Sequence, residues 1–223
     1  MSWLKAPFAP PAAVDIPGST NPDVLSIAAQ LRAMRMPGSA ESVCLLVTPA
    51  TPGMSAALLV AELATTLPQL NEAPVLVVDL GLSGRPPLYL PPGEVEEVQI
   101  SNETAVAEPA WSDEICRSAA GSRVVYARLK SERASILTSA EFGLFVARAR
   151  RSFRYILIQG AAPQESVESI LAAYFADGVV LTVGANQTSV EQARHAQKLL
   201  ARTGARLLGF VYDRNPPTAQ RRA

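Results

Sequence analysis

Histidine occurs once and cysteine twice in 223 residues. With no cluster of either, a structural zinc site, which takes about four such ligands, is not expected. A catalytic histidine would have to be His195. It follows Glu191 by four residues on an expected helix and reads as a solvated pair rather than a base. Cys44 lies inside the apolar run "SVCLLV" and reads as a small core residue. Two cysteines fit a reduced compartment. Long hydrophobic runs are missing as well, since none approaches the roughly 18–20 residues that span a bilayer. The opening "MSWLKAPFAPPAAVDIPG" has no apolar h-region, so no secretory signal is expected.

One sign of charge is absent over a long stretch: no Lys or Arg lies between Arg85 and Arg117. Residues 1–116 hold 4 basic and 13 acidic residues, residues 117–223 hold 16 and 7, and the halves cancel to a net charge of zero. Either the halves interleave in one domain with solvated charges, or the chain carries an acidic and a basic face suited to docking copies or partners. No nucleic-acid partner is expected.

What is present is a rhythm of apolar runs and helical periods. Residues 1–22 are rich in Pro and Ala and read as a flexible arm. "DVLSIAAQLRAMRM" (23–36) puts Leu25, Ala28, Ala29, Leu31 and Met36 near helical spacing and stops at "PG". Strands are expected at 42–48, 74–80, 122–128, 154–160, 177–184 and 205–213, and further helices at 55–67, 140–152, 164–176 and 189–203. Residues 81–122 read as an irregular Pro/Gly/acidic stretch. Thr138 with Glu141, and Thr188 with Glu191, have capping-box spacing, and Gly204 stops the last helix. The tail, 215–223, reads as disordered. Continuous apolar strands alternating with helices predict the α/β class: one domain over 23–214, with a mostly parallel sheet covered by helices on both faces. Ligands in such sheets sit beyond the carboxyl ends of the strands, which points to residues 48–57, 79–88 and 159–165.

The first of these loops, "TPATPGMSAALL" (48–59), joins strand to helix through Pro52 and Gly53, the layout of a phosphate-binding loop. It holds no Lys, and Ala stands where a metal-binding hydroxyl belongs. It is either a phosphate loop stripped of its chemistry or a plain strand–helix turn. Set in "VTPATPGMSAALLVAELA", it resembles the P-loop ATPases of the MinD/ParA type. More closely, it resembles the cytoplasmic tyrosine-kinase domain (BY-kinase) of bacterial capsule and exopolysaccharide systems, whose loop reads approximately VTSxxPGEGKSTxxxNLA. Val47, Thr48, Pro52, Gly53, Ala61, Leu63 and Ala64 are retained. The family's GKST falls on Ser55, Ala56, Ala57 and Leu58.

Two further motifs follow the same course. Against the family's VLLVDADLRRPxL, "VLVVDLGLSGRPPL" keeps Asp79 and Leu82 and has Gly81 at the second Asp. Against FDYVIIDTPP, "FRYILIQGAAP" keeps Phe153 and Tyr155 but has Gln159 at the metal-linked Asp and Arg154 at the other. The framework is better kept. "ADGVVLTVGANQTSVEQARHAQKLLARTGARLLGFVYDR" (176–214) is similar to the family's segment over nearly its whole length, and "SILTSAEF" (135–142) resembles its ELLSSxxF. The Tyr-rich tail of those kinases is missing, since this chain ends in "NPPTAQRRA". Their ring-forming Glu-x-x-Arg-x-x-Arg falls on Ala29, Arg32 and Arg35, so both Arg are kept and the Glu is lost.

Together these losses imply a catalytically inactive module. Phosphoryl transfer is almost wholly electrostatic, and the Lys, the hydroxyl and the Asp pair supply its charge and its metal. Pro52, Gly53, Ser55, Ala56, Ala57, Asp79 and Gln159 are then a vestigial nucleotide site. No cofactor or metal is expected, although a helix N-terminus still attracts an anion and leaves room for weak ATP or ADP binding. Met54 reads as core or as a plug in the vacated space, and Ser55 has no base to activate it. The resemblance implies a cytoplasmic regulatory or assembly role in exopolysaccharide or capsule biosynthesis and export. The partner would be a membrane polysaccharide co-polymerase or an active kinase paralogue, held in a hetero-oligomer through Arg32 and Arg35 at the inner face of the membrane. Two alternatives stand beside it: an active ATPase or tyrosine kinase with an atypical site, and a ParA-type spatial-organiser adaptor of a pilus or secretion system.

Overall fold

The computed structural model describes residues 22–33, 42–71, 74–80, 96–97, 115–117, 124–128 and 140–213. In chain order these form α1 (Pro22–Ala33), β1 (Val43–Pro49), α2 (Ala57–Asn71), β2 (Val75–Asp79), β3 (Glu96–Glu97), β4 (Ile115–Arg117) and β5 (Val124–Arg128). They continue as α3 (Ala140–Ser152), β6 (Tyr155–Gln159), α4 (Val167–Ala173), β7 (Gly178–Gly184), α5 (Val190–Ala201) and β8 (Leu207–Asp213). Residues 1–21 of the expected arm, the tail, Arg35 and Thr138 lie outside the described residues, and Pro22 opens α1.

All strands belong to one eight-stranded sheet of order β3-β4-β5-β2-β6-β1-β7-β8. The run from β5 to β8 is parallel at every step. At one edge, β4 and β3 add on antiparallel, inside the stretch expected to be irregular. β3 and β4 are two and three residues long, too short for any side-chain period to announce them.

The central strands read as unbroken apolar runs because both of their faces are covered. Leu45, Val47, Val75, Val77, Tyr155 and Leu157 pack under α1 and α2. Their neighbours Cys44, Leu46, Leu76, Val78, Ile156 and Ile158 turn the other way, onto α3, α4 and α5. In α1, Val24, Ala28 and Leu31 are the buried stripe, while Leu25 and Ala29 are exposed. The helix is therefore rotated by about one position from the expected face.

Helix α2 runs past Pro68 to Asn71, although it was expected to stop at residue 67. Pro68 removes one N–H from the last turn, but Leu59, Val60, Leu63, Ala64 and Leu67 are all buried. Each such side chain contributes about 1.5–3 kcal/mol, which outweighs the lost bond. Helix α4 is shorter than expected, because residues 163–165 form a turn before it. Helix α5 starts at Val190, and its cap is Ser189 in a capping box with Gln192 rather than Thr188 with Glu191. Thr188 is engaged elsewhere, as the site shows.

Crossovers leave the middle of the sheet in both directions. From β1 the chain goes through α2 to β2 on one side; from β6 it goes through α4 to β7 on the other. The two helices cover opposite faces. Such a switch point opens a crevice beyond the carboxyl ends of β1 and β6, the usual ligand position in this class of sheet.

Candidate functional site

Three loops meet at that crevice. The first, 50–56, leaves β1 with the Ala50 N–H bonded to Thr182 O at 2.9 Å. Gly53 has φ +76°, a left-handed turn that glycine takes without strain. The Met54 N–H then returns to Thr51 O at 3.3 Å. Pro52, Gly53 and Ser55 are exposed, Ala56 is buried, and Ala57 opens α2. The Ser55 hydroxyl accepts the Ala57 N–H at 3.2 Å, closing one donor of the helix start on the chain itself.

Two side chains lock this loop to the loop before α5. Thr188 Oγ1 accepts from the Gly184 N–H at 3.0 Å and from Thr51 Oγ1 at 2.8 Å, and points its own proton at Met54 Sδ, 3.5 Å away. These bonds explain why Thr188 is not the helix cap. They also fix Met54, which is buried, against the loop floor.

The third loop, 160–166, closes over the first. Gln164 Nε2 donates to Ala50 O at 2.8 Å and to Gln192 O at 3.3 Å. Ala161 O accepts from the hydroxyls of Thr48 and Ser169. A Cβ on Gly160 would meet Ser169 Oγ at 2.5 Å, so glycine is what lets α4 approach the end of β6. The central contact is a hydrogen bond to a charged group. The Glu165 carboxylate accepts the Gly53 N–H, with both oxygens at 3.2 Å. A fixed anion thus sits on the amide that a phosphate loop offers to its phosphate.

Asp79 and Gln159 are neighbours in register at the ends of β2 and β6, and both are buried. Parallel pairing turns them to the same face as Val47, Val77 and Leu157, the face α2 covers. The structure therefore brings together Pro52, Gly53, Ser55, Ala56, Ala57, Asp79 and Gln159 at one crevice. Among the described residues, the strand ends contribute one carboxylate and one amide on that face. Among the described residues no group of three or more His, Cys, Asp or Glu could hold a metal ion. The backbone of Arg32 lies in the last turn of α1. His195 is exposed on α5.

The geometry invites comparison with solved proteins. The kinase domain of Escherichia coli tyrosine kinase ETK matches with a TM-score of 0.65 at 14% identity, over 85% of this chain and 73% of that one. The chimerical protein CapA2B2 matches at 0.63 and 18%, over 87% and 81%. The MinD cell division protein of Aquifex aeolicus matches at 0.55 and 18%, over 78% and 70%. The chain shares its fold with MinD, with CapA2B2 and with the ETK kinase domain. No family model matches the sequence, and no curated protein matches it.

On this fold, the loops that hold Thr51, Gln164 and Glu165 were legible from the strand ends and Thr188 was read as a helix cap, but the contacts these four residues make were missed. Glu165 stands a few residues beyond the third motif's strand. Its partner lies 112 residues away, and no local pattern connects the two.

Proposed function

We propose that this chain is a non-catalytic P-loop module that acts as a regulatory or assembly partner in bacterial exopolysaccharide or capsule biosynthesis. The observation that carries the reading is the Glu165 carboxylate on the Gly53 N–H, beside Ala56 and Ala57 where the resembled kinases place their lysine and metal-binding hydroxyl. A carboxylate at that amide repels a phosphate by like charge. One carboxylate and one amide are a poor cage for magnesium, which favours oxygen-rich octahedral sites. On this reading the described residues do not make a magnesium–nucleotide site, and no catalytic step is assigned.

The pathway rests on the motif resemblance, supported by the fold shared with tyrosine-kinase domains. On this reading the chain docks on the cytoplasmic segment of a membrane polysaccharide co-polymerase or on an active kinase paralogue that supplies the glutamate missing at Ala29. Residues 22–213 are read as cytoplasmic, and among the described residues no helix is long and apolar enough to cross a membrane.

Two measurements test the reading together. Protein purified from its native host is denatured and the supernatant assayed for nucleotide; none is expected. The same protein is titrated with the cytoplasmic segment of a co-polymerase from that host and with a kinase paralogue. Saturable binding to one of them is expected. Stoichiometric nucleotide, or ATP turnover, refutes the non-catalytic reading. Binding to neither partner refutes the pathway.

A further inference from the structure

The two edge strands of the described sheet differ in what they offer. At one edge β3 is two residues long and presents little backbone to pair with. At the other, β8 runs for seven residues, and among the described residues no strand lies beyond it. A long edge strand is a template for another strand, and proteins blunt such edges with Lys, Pro or a bulge. From Leu207 to Tyr212, "LLGFVY", β8 has neither charge nor proline. Its register shift, beside Val179 and Val180, falls at the start of the strand and leaves the rest regular. In that remainder Phe210 and Tyr212 are 49% and 62% exposed.

The backbone turns outward at the same residues. The carbonyls of Arg206 and Asp213 accept the N–H groups of Val179 and Ala185 on the inner side of β8. Alternation along the strand then directs the N–H and C=O of Leu207, Phe210 and Tyr212 to the outer edge. Side chains alternate between the two faces of the sheet. Leu207 packs on the face of α3, α4 and α5, and register with Leu181 and Val183 puts Phe210 and Tyr212 on that face too. Leu208 and Val211 pack on the face of α2. The extra residue at the bulge brings Arg206 and Asp213 onto this second face together, one at each end of the strand. Asp213 acts there on Glu62 of α2, whose carboxyl is pushed up by burial first and by Asp213 second.

One antiparallel register with a second copy of β8 satisfies every one of these positions. With Phe210 opposite Phe210 of the second copy, Leu207 falls opposite Tyr212 and Gly209 opposite Val211, each on its own face, with Leu208 as the bulged residue. The outward groups of Phe210 meet those of the second Phe210, and the outward groups of Leu207 meet those of Tyr212. On the α2 face Arg206 falls opposite Asp213 of the second copy, on the side of Glu62, so opposite charges meet at both ends. We propose that two copies of this chain pair β8 to β8, antiparallel about a two-fold axis at Phe210, and join their eight-stranded sheets into one. The same patch serves both chains, so the contact is isologous and closes at two. This pairing does not depend on the non-catalytic reading.

Sedimentation velocity of the full-length chain across micromolar concentrations tests it, with a monomer–dimer equilibrium and nothing larger as the expected result. Phe210→Asp sets two like charges face to face, and Arg206→Asp sets an acid against Asp213. Each weakens the dimer at least about tenfold. Arg206→Asp with Asp213→Arg recovers it, because the two charges have only changed places. Circular dichroism checks that each variant folds. In a Cys116→Ala background, Phe210→Cys puts two Cα atoms about 5.5 Å apart across the axis, within disulfide range, so mild oxidation joins two chains. A wild-type chain that stays monomeric overturns the proposal, even where an extended apolar peptide binds it. So does assembly beyond two copies, or a folded Phe210→Asp chain that dimerises as the wild type does. A folded charge-exchanged chain that stays monomeric, or a Phe210→Cys chain that oxidation leaves single, overturns it as well.

Discussion

Arg150 and Asp177 form the most heavily bonded side-chain pair described. Both guanidinium nitrogens reach the two carboxylate oxygens at 2.8 Å, and the same carboxylate accepts the Cys44 N–H at 2.7 Å. Arg150 also reaches Ser42 O at 3.3 Å and Phe175 O at 3.4 Å, tying α3 and the end of α4 to the entrance of β1. The side chains are 22% and 18% exposed, so water replaces little of this. Asp177→Ala should cost about 2–4 kcal/mol in urea denaturation, because it strands a guanidinium and a buried N–H. Asp177→Asn keeps an acceptor and should cost less. Beside this pair, burial pushes the Cys44 thiol from 9.0 up to about 12. The unfolded thiol ionises first, so the unfolded state binds fewer protons and stability falls between about pH 9 and pH 12. The pH profile of wild type minus Cys44→Ala should show that fall, and Cys44 should resist alkylation at pH 8 until the chain unfolds. Cys44 was legible in the sequence as core from its apolar neighbours. Its acceptor was not, since Asp177 lies 133 residues away. The same distance in sequence hid the Glu165–Gly53 contact, whereas Ala56 and Ala57 could be read directly, because an absent side chain needs no partner.

At the scale of elements, type was legible and boundaries were not. The apolar runs of β1, β2, β6 and β7 and the 3.6-residue periods of α2, α3 and α5 survive any tertiary context, because burial on both faces demands them. The ends are set by single hydrogen bonds. Thr188 has capping-box spacing, but Thr51 and Gly184 claim its hydroxyl and leave the cap to Ser189. Ser189→Ala should therefore cost about 1 kcal/mol, with faster amide exchange confined to the first turn of α5. Equal loss of protection along the whole helix would argue against Ser189 as the cap. Pro68 shows the opposite failure: a strong local stop signal was overridden by the packed face of α2. The short β3 and β4 had no sequence signal at all.

For the molecule as a whole, alternation of strand and helix predicted a parallel sheet, but periodicity cannot order its strands; that came from the structure. The order is what makes the crevice, because β6 lies between β1 and β2 and sends its crossover the other way. The central claim is that the nucleotide site of this fold survives as a scaffold with its phosphate amide taken by Glu165. Calorimetric titration of the purified full-length chain with magnesium–ATP tests that most directly. The account predicts no saturable heat up to about millimolar nucleotide, where binding free energy falls to about −4 kcal/mol; micromolar binding accompanied by turnover would contradict it.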